Sequence, residues 1–283
     1  MNVKRSLLGL LPMGWRAQVV TRYIESRLGR KEEVSVSSRG ARASVNGHEW
    51  RTFSQNGEDG LIDYILAQTG TTAQLGVEFG FHPHQCNSLR LLIDGAQAVL
   101  MDGDTENCDL ARRVFTRLDL DAQVVNAFIT REIVNEAIGA AVDGRKVDVL
   151  SIDIDGNDYW VWAAVDCIRP RLIVVEYNAS FGHTASITVP YEPDFHRMAK
   201  HGSGFYHGAS LSALTKLGRE KGYRLVGCDS HGVNAFFVRG ELGPGLGTCS
   251  PRDAFYPHLG RLRRGYREEQ QWQMVEKMPF VEV

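Results

Sequence analysis

The sequence predicts an α/β fold, in which a mostly parallel sheet carries helices on both faces and ends in an antiparallel hairpin. Two observations support this fold class. Short apolar runs that stop abruptly at acidic residues and glycine, as buried parallel strands do, alternate with amphipathic helix patterns over residues 50–176. Two further apolar runs, joined by a polar turn at residues 229–232, then predict the hairpin.

The individual elements follow in a regular order after a polar stretch at residues 31–50, which we expect to be a linker or an exposed loop. The predicted helices cover 54–70, 86–95, 105–118, 131–141, 157–167 and 210–222. The predicted strands cover 75–79, 97–101, 123–125, 147–152, 171–176, 223–227 and 233–238. Helix starts are marked by Ser54 and Ser210, and a glycine ends the helix at positions 70, 95 and 222. A single seven-stranded sheet with right-handed crossovers is therefore expected.

The composition of the 283 residues excludes several classes of protein. A formal net charge of −2 argues against a nucleic-acid partner bound through phosphate neutralisation. The five cysteines are odd in number, widely scattered and never spaced as CxxC, which argues against a zinc site or a disulfide framework. No apolar stretch has the length of a transmembrane segment. A cytoplasmic protein fits these features best.

Both ends of the chain extend beyond the main domain, which we place at residues 50–240. Residues 1–49 predict a helical extension and linker, with Trp15, Val19, Val20, Tyr23 and Ile24 on a common side of the helix. This helix is expected to pack on the domain or on a partner subunit, and weak peripheral membrane contact is the alternative. Residues 241–283 are interpreted as a surface extension or a homo-oligomer contact.

Carboxylates follow four of the predicted strands, where the parallel strands end at one edge of the sheet. Glu78 lies in the first strand, Asp102 closes the second, Asp153 and Asp155 follow the fourth, and Glu176 closes the fifth. Ligands of open α/β sheets bind just beyond the carboxyl ends of such strands. The sequence therefore predicts a cofactor-dependent enzyme with its site at this edge.

The first strand and the loop after it narrow the choice of cofactor. Gly76 and Gly80 allow a close approach of the backbone to a ligand, and Glu78 can accept hydrogen bonds or attract a cation. The dinucleotide fingerprint GxGxxG is absent, because residues 81–84 read FHPH, which argues against a pyrophosphate. Asp102 stands where an acid binds ribose hydroxyls. S-adenosylmethionine, an adenosine with a positive sulfonium and no phosphate, suits this acidic edge.

Four segments also resemble a known family, the FkbM-type class I methyltransferases. They read SQNGED at 54–59, GVEFG at 76–80, IDIDGND at 152–158 and GYRLVG at 222–227, and the resemblance spans roughly residues 50–240. The resemblance implies a Rossmann-like class I methyltransferase fold, S-adenosylmethionine as cofactor, and O-methylation of a glycan or a small-molecule hydroxyl. By position it implies that the cofactor is held by Gln55, Glu78, Gly80, Asp102, Asn126 and Ala127.

Asp153 and Asp155 are the candidates for the reacting end of the site. Methyl transfer to a hydroxyl requires alignment of the acceptor and removal of its proton, which a carboxylate can perform. Together with Glu176 and Asn178 they also resemble the divalent-metal site of catechol-type O-methyltransferases, and magnesium prefers such oxygen ligands. The alternative is that one aspartate contacts the cofactor while the other caps the helix that begins at Asn157.

Histidines and the loop at residues 179–209 complete the predicted site. His183 and His207 lie in this loop and offer a second base. The loop is long and rich in glycine, histidine and aromatic residues, which predicts a substrate-binding segment.

Two other functions remain open at this stage. A metal-dependent nucleotide-sugar transferase would use Asp102 and Asp104 as an acid pair for a metal-bound diphosphate. A non-catalytic partner subunit would keep the fold without the activity.

Overall fold

The chain folds around one large sheet, as seen in a computed structural model that describes Gly9 and residues 11–34 and 44–283. Strands are β1 (Glu32–Glu33), β2 (Trp50–Arg51), β3 (Leu75–Phe79), β4 (Gln97–Asp102), β5 (Ala122–Asn126), β6 (Val149–Ile152), β7 (Leu172–Glu176), β8 (Ile187–Thr188), β9 (Tyr223–Cys228), β10 (Asn234–Arg239) and β11 (Val281–Glu282). Helices are α1 (Met13–Arg27), α2 (Glu58–Gln68), α3 (Ser88–Ile93), α4 (Thr105–Arg117), α5 (Val134–Val142), α6 (Asp158–Ala164), α7 (Arg197–Lys200), α8 (Leu211–Glu220), α9 (Pro251–Ala254), α10 (Leu259–Arg263) and α11 (Glu268–Val275). Two 3-10 helices span Ser44–His48 and Ala179–Phe181.

The large sheet confirms the predicted architecture. Its seven strands lie in the order β5-β4-β3-β6-β7-β10-β9. The first five of these pair in parallel, whereas β10 pairs antiparallel with both β7 and β9. The chain therefore adds β4 and then β5 on one side of β3. It then crosses back, places β6 on the other side of β3, and continues outward from there with β7. This is a Rossmann-like sheet with a terminal antiparallel hairpin, and its switch point lies between β3 and β6.

Helices cover both faces of the sheet, as predicted. Strands β3, β6 and β7 are buried along their whole length, which explains why they read as continuous apolar runs. One face packs against α5, α6 and α8, and the other packs against α2 and α4, with α1 lying on α4. Trp162 of α6, for example, stacks 4.9 Å from Phe237, and full burial of such a side chain contributes roughly 1.5–3 kcal/mol.

The motif at residues 54–59 forms a folded turn before α2 rather than its first helical turn. The carboxylate of Asp59 accepts hydrogen bonds from the backbone amides of Thr52, Phe53 and Ser54 at 2.7–3.0 Å. The hydroxyl of Ser54 in return accepts from the amide of Asp59 at 3.0 Å. The helix therefore begins at Glu58, four residues later than the sequence predicts.

The C-terminal segment 241–283, interpreted from the sequence as a surface extension or an oligomer contact, packs on the main domain. Strand β11 pairs with β8 and clamps the chain end onto the loop at 179–209. Arg261 and Gln271 are buried, and Trp272 stacks on Phe280 within an apolar cluster that the same loop completes. The physical reason is that this loop exposes apolar side chains that the segment covers.

The N-terminal helix α1 differs from its predicted pattern. Val20 and Ile24 are buried against α4, whereas Trp15, Val19 and Tyr23 are exposed, and the ring of Tyr23 packs edge-on against His84 at 5.8 Å. The five residues therefore do not share one side of the helix. Residues 1–8, residue 10 and residues 35–43, which belong to the predicted extension and linker, lie outside the described residues. Within residues 11–34 and 44–283, no helix is both long and apolar enough to span a bilayer.

Candidate active site

A pocket of about 390 Å³ opens at the carboxyl ends of β3, β4 and β6, on both sides of the switch point. This volume lies in the usual range for small-molecule sites, about 300–1,000 Å³. Its lining residues are Gly80, Met101, Asp102, Gly103, Asp104, Ala127, Phe128, Ile129, Asp153, Ile154, Asp155, Asn157, Phe195 and His196. Of the predicted cofactor-binding residues, Gly80, Asp102 and Ala127 therefore lie at the pocket, joined by Asp153 and Asp155.

Gly80 lets the strand ends at the floor of the pocket approach one another. Its φ of +71° lies in the left-handed region, and a Cβ at this position would clash with the carbonyl oxygen of Asp153. Its amide donates to the carbonyl of Met101 at 3.0 Å. The glycine thus joins β3 to its two neighbouring strands at the point where the pocket begins.

The carboxylate of Asp102 forms one wall of the pocket and is partly held by backbone. One of its oxygens accepts from the amide of Asp104 at 2.7 Å, and the other accepts from the amide of Phe81 at 3.3 Å. Burial raises the pKa of Asp102, although these hydrogen bonds oppose the shift. Asp104 caps α4 by accepting from the amides of Glu106 and Asn107. Both acids of the Asp102/Asp104 pair are therefore engaged with backbone.

The charge of the pocket has one sign. Four of its lining residues are acidic, none is lysine or arginine, and the remainder is apolar or neutral apart from His196. Phe128 and Ile129, which follow β5, supply apolar surface, and the ring of Phe128 lies 5.7 Å from that of His196. Such a cavity attracts a cation with an apolar body and disfavours a phosphate-bearing ligand.

Glu78 and Gly76 lie in β3 but do not line the pocket. The carboxylate of Glu78 is buried and accepts hydrogen bonds from the amides of Asn87 and Ser88 at 3.0 and 2.7 Å. Burial raises the pKa of Glu78 to about 7 despite these bonds. A Cβ at Gly76 would touch Leu91 and Ser88 of α3 at 3.4 Å, so this glycine serves helix packing. Contact of Glu78 and Gly76 with a cofactor therefore stays a prediction, and neither residue lines the pocket.

Gln55 and Asn126 also lie outside the pocket. Gln55 is exposed in the turn before α2, where its carbonyl accepts from Arg51. Asn126 ends β5. Its side-chain nitrogen donates a hydrogen bond to the Asp102 carbonyl, and its side-chain oxygen accepts one from the Thr105 hydroxyl. Cofactor binding by these two side chains stays a prediction, and neither residue lines the pocket.

A cluster of three carboxylates lies beside the pocket, at the ends of β6 and β7. Carboxylate oxygens of Asp153, Asp158 and Glu176 lie within 4.8 Å of one another. Asp158 is tied to backbone, because it accepts from the amides of Ile154 and Gly156 at 2.9 and 3.0 Å. It thereby shapes the turn that presents Asp153 to the pocket.

Asp153 and Glu176 differ from Asp158 because their carboxylates are not held by backbone amides. Within the described residues, no hydrogen bond reaches the carboxylate of Asp153, and one oxygen of Glu176 is buried without one. Burial and the neighbouring charges of Glu176, Asp155 and Asp158 raise the pKa of Asp153 well above its ordinary value. Burial acts in the same direction on Glu176, but His207, Arg197 and Arg261 outweigh it and lower the pKa of that carboxyl. Glu176 is therefore held ionised, and the carboxylate of Asp153 is made more basic.

His207 is fully buried between Glu176 and Arg261. Its Nδ1 lies 3.5 Å from a Glu176 oxygen, and its Nε2 lies 2.9 Å from a guanidinium nitrogen of Arg261. A guanidinium only donates, so Nε2 must accept, and the proton of the neutral ring then sits on Nδ1, facing Glu176. Both ring nitrogens face protein groups, and the catalytic role of His207 stays a prediction. The side chain orients Glu176.

The side-chain amide of Asn178 is fully used in hydrogen bonds to protein. Its oxygen accepts from Arg261 at 2.8 Å and from the amide of Ser180 at 3.0 Å, and its nitrogen donates to the carbonyls of Phe205 and His207. A cation would have to approach the oxygen against the positive charge of the guanidinium. The residue anchors the loop at 179–209, and its metal role stays a prediction.

Asp155 stands at the mouth of the pocket, apart from the buried acids. Its φ of +57° is unusual for a residue other than glycine and turns its carboxylate outward, where it forms an ion pair with Arg197 of α7. The side chain of Asp155 is largely exposed. This pair joins the loop at 179–209 to the turn after β6. The carboxylate of Asp155 therefore lies at the mouth of the pocket and not among the buried acids.

His183 lies away from the acids. Its ring packs edge-on against Phe255 at 5.3 Å, and its carbonyl accepts from Ser212 of α8. Neither contact involves a residue of the pocket, so the structure does not support the predicted catalytic role of His183.

Three important residues were not predicted: Asp158, Arg197 and Arg261. Asp158 carried a usable signal, since it is the last acid of the IDIDGND segment. Arg197 and Arg261 carried none, because each acts on residues far away in the chain. Arg261, for example, bonds Asn178 across 83 positions.

Comparisons with known proteins add little beyond this geometry. No protein-family model matches the chain, and no curated protein matches it. Similar solved structures include magnesium protoporphyrin IX methyltransferase from Synechocystis PCC 6803 with bound SAH, at 14% identity over 64% of this chain and 81% of the other, with a TM-score of 0.43. The N-terminal domain of EvdMO1 with SAH bound matches at 11% identity over 78% and 94%, with a TM-score of 0.42. Cofactor-bound Rv0187 from MTB matches at 15% over 85% and 97%, with a TM-score of 0.41. At these TM-scores the matches do not assign a function to the chain, and the fold is assigned from the strand order alone.

Proposed function

We propose that the protein is an S-adenosylmethionine-dependent O-methyltransferase. The observation that carries the proposal is the pocket at the switch point of the Rossmann-like sheet, which four aspartates and no lysine or arginine line. A nucleoside that bears a sulfonium and an ammonium group, and no phosphate, matches both the position and the charge of this cavity.

The pocket residues divide into two groups in this proposal. Asp102, at the end of β4, would accept hydrogen bonds from ribose hydroxyls, and Ala127, Phe128 and Ile129 would lie beside the base. Asp155 would face the positive end of the cofactor, and Asp153 would face the acceptor. When bound, S-adenosylmethionine supplies an activated methyl group.

The protein's own part in the reaction is to orient the acceptor and remove its proton. Asp153 is suited to this because its carboxylate faces the pocket, lacks a hydrogen bond from the described residues and has a raised pKa. Glu176 sustains that basicity as the adjacent ionised carboxylate. Phe195 and His196 place the loop at 179–209 against the same cavity, where an acceptor hydroxyl of a glycan or a small molecule would enter.

A divalent cation is part of the proposal only with a revised set of ligands. Asp153, Asp158 and Glu176 offer three carboxylate oxygens within 4.8 Å of one another, a donor set that suits magnesium. The second grouping, which contains Asp155, Glu176 and His207, fits less well, because Arg197 pairs with Asp155 and Nδ1 of His207 carries a proton. Bound magnesium would lower the pKa of the acceptor hydroxyl. If a chelator does not affect methyl transfer, the metal has no part in the reaction, and Asp153 acts as the base without it.

Calorimetric titration with S-adenosylmethionine tests the proposed cofactor. The wild type is expected to bind with a micromolar dissociation constant, while Ala127→Trp, which fills the pocket, should abolish the heat. Ala140→Trp on the exposed face of α5 is the matched control and should bind like the wild type. Binding of a uridine diphosphate sugar in place of S-adenosylmethionine would instead favour the nucleotide-sugar transferase.

A further inference from the structure

The outer face of α1 presents a continuous apolar stripe. Leu11, Trp15, Val19 and Tyr23 follow one another at intervals of four residues and are 39, 66, 45 and 44% exposed. This spacing places the three helical members on one side of the helix. The opposite side, with Val20 and Ile24, is buried against the domain, so α1 is apolar on two sides.

No comparable surface exists elsewhere in the described residues. Ten large hydrophobic side chains are exposed in residues 11–34 and 44–283, and five of them fall between Leu11 and Leu28. The other five are scattered along the chain from Phe128 to Met274. Single exposed apolar residues need no explanation, but a contiguous group indicates an interaction surface.

The charge of this segment identifies the kind of partner. Residues 1–31 contain seven basic residues and one acidic residue, Glu25, which gives +6 in a chain whose net charge is −2. The basic residues are Lys4, Arg5, Arg16, Arg22, Arg27, Arg30 and Lys31. Arg16 and Arg27 form ion pairs with Glu106 and Glu32, and Lys31 lies over the ring of Trp50, whereas Arg22 and Arg30 are exposed. Basic side chains beside exposed tryptophan and tyrosine form the pattern of a helix that lies in a membrane interface. A second copy of the chain is disfavoured, because a two-fold contact through α1 would place two such positive segments against each other.

We propose that α1 is a peripheral docking surface for a membrane rich in anionic lipid. Trp15 and Val19 insert into the interfacial region, and the exposed side chains of Arg22 and Arg30 contact the lipid headgroups. The buried side of the helix stays packed on α4, so the domain does not need to rearrange in order to bind.

Vesicle co-sedimentation of the full-length protein tests this proposal. Vesicles of phosphatidylcholine with 30% phosphatidylglycerol should bind the wild type, and pure phosphatidylcholine vesicles should bind it about tenfold more weakly. Raising the salt concentration should weaken binding to the anionic vesicles. The double variant Trp15→Ser/Val19→Ser should lose about tenfold or more of the affinity. Met274→Ser, which removes an exposed apolar side chain on α11, should bind like the wild type.

Three results would overturn the proposal. The first is a wild type that binds neither kind of vesicle. The second is equal binding by the wild type and by the folded double variant, verified by circular dichroism. The third is a wild-type dimer in light scattering that becomes monomeric in the double variant without any vesicle binding, because the stripe would then be an interface between two copies.

Discussion

The two halves of the sheet edge use their acidic residues in opposite ways. On the β3–β4 half, Glu78 and Asp102 each accept hydrogen bonds from two backbone amides, and thereby hold the loops that shape the pocket. On the β6–β7 half, Asp158 is held in the same way, but no backbone amide of the described residues reaches the carboxylate of Asp153 or of Glu176, and Glu176 faces Nδ1 of His207 at 3.5 Å. Unpartnered buried carboxylates are costly to stability and are retained where their charge is needed for function. The first half therefore builds the site, and the second half is available for chemistry.

The largest expected effect is on turnover, from Asp153→Asn. Replacement of the proposed base should lower kcat by about a hundredfold to ten-thousandfold, while cofactor binding and thermal stability change little. Transfer of label from methyl-labelled S-adenosylmethionine to a panel of hydroxylated acceptors measures this. A variant that retains full turnover would show that the two halves do not differ in this way.

Glu78→Ala should mainly affect stability. The substitution leaves the buried amides of Asn87 and Ser88 without an acceptor, at a cost of about 2–4 kcal/mol in the free energy of unfolding. Urea denaturation followed by circular dichroism measures the loss. Glu78→Gln keeps one acceptor oxygen and should lose less. A fully stable Glu78→Ala protein that no longer binds cofactor would instead assign Glu78 to the site itself.

Two substitutions should move the pH dependence of turnover in opposite directions. The charge of Glu176 raises the pKa of Asp153, and Arg197 lowers it. Glu176→Gln should therefore move the acidic limb of the kcat–pH profile to lower pH, and Arg197→Met should move it to higher pH, each by about one unit. If both variants shift the limb in the same direction, the base is a group other than Asp153.

The smallest effect concerns stability as a function of pH. Burial raises the pKa of both Glu49 and Glu78 to about 7, above their ordinary value of 4.5. The folded state therefore binds more protons than the unfolded state in this interval, and the stability contributed by these groups is lost as the pH rises from about 4.5 through 7. Melting temperatures across this range should fall more steeply for the wild type than for Glu78→Gln. Equal slopes would show that Glu78 titrates normally in the folded protein.

The positions of the strands, their burial and the terminal hairpin could be predicted, because they depend on local sequence patterns. A buried strand such as β3 is apolar throughout, and the acid or glycine that ends it marks the edge of the sheet. The same reasoning located Gly80, Asp102 and Asp153, which all line the pocket.

The roles of the individual acids could not be predicted, because these roles depend on where loops and distant segments fold. Glu78 is turned away from the pocket by amides nine and ten residues later. His207 and Asn178 both contact Arg261, which lies in the segment interpreted from the sequence as a surface extension or a homo-oligomer contact. No periodicity in the sequence reports a contact of this length.

Isothermal titration of S-adenosylmethionine into the wild type, Asp102→Asn and Asp153→Asn tests the central claim most directly, since it needs no acceptor. The account predicts that the wild type and Asp153→Asn bind with similar affinity, and that Asp102→Asn binds at least about tenfold more weakly, because an uncharged amide is a poorer acceptor for ribose hydroxyls. Absence of binding to the wild type would contradict the proposed cofactor. Equal loss of affinity in both variants would contradict the division of the site into a binding half and a reacting half.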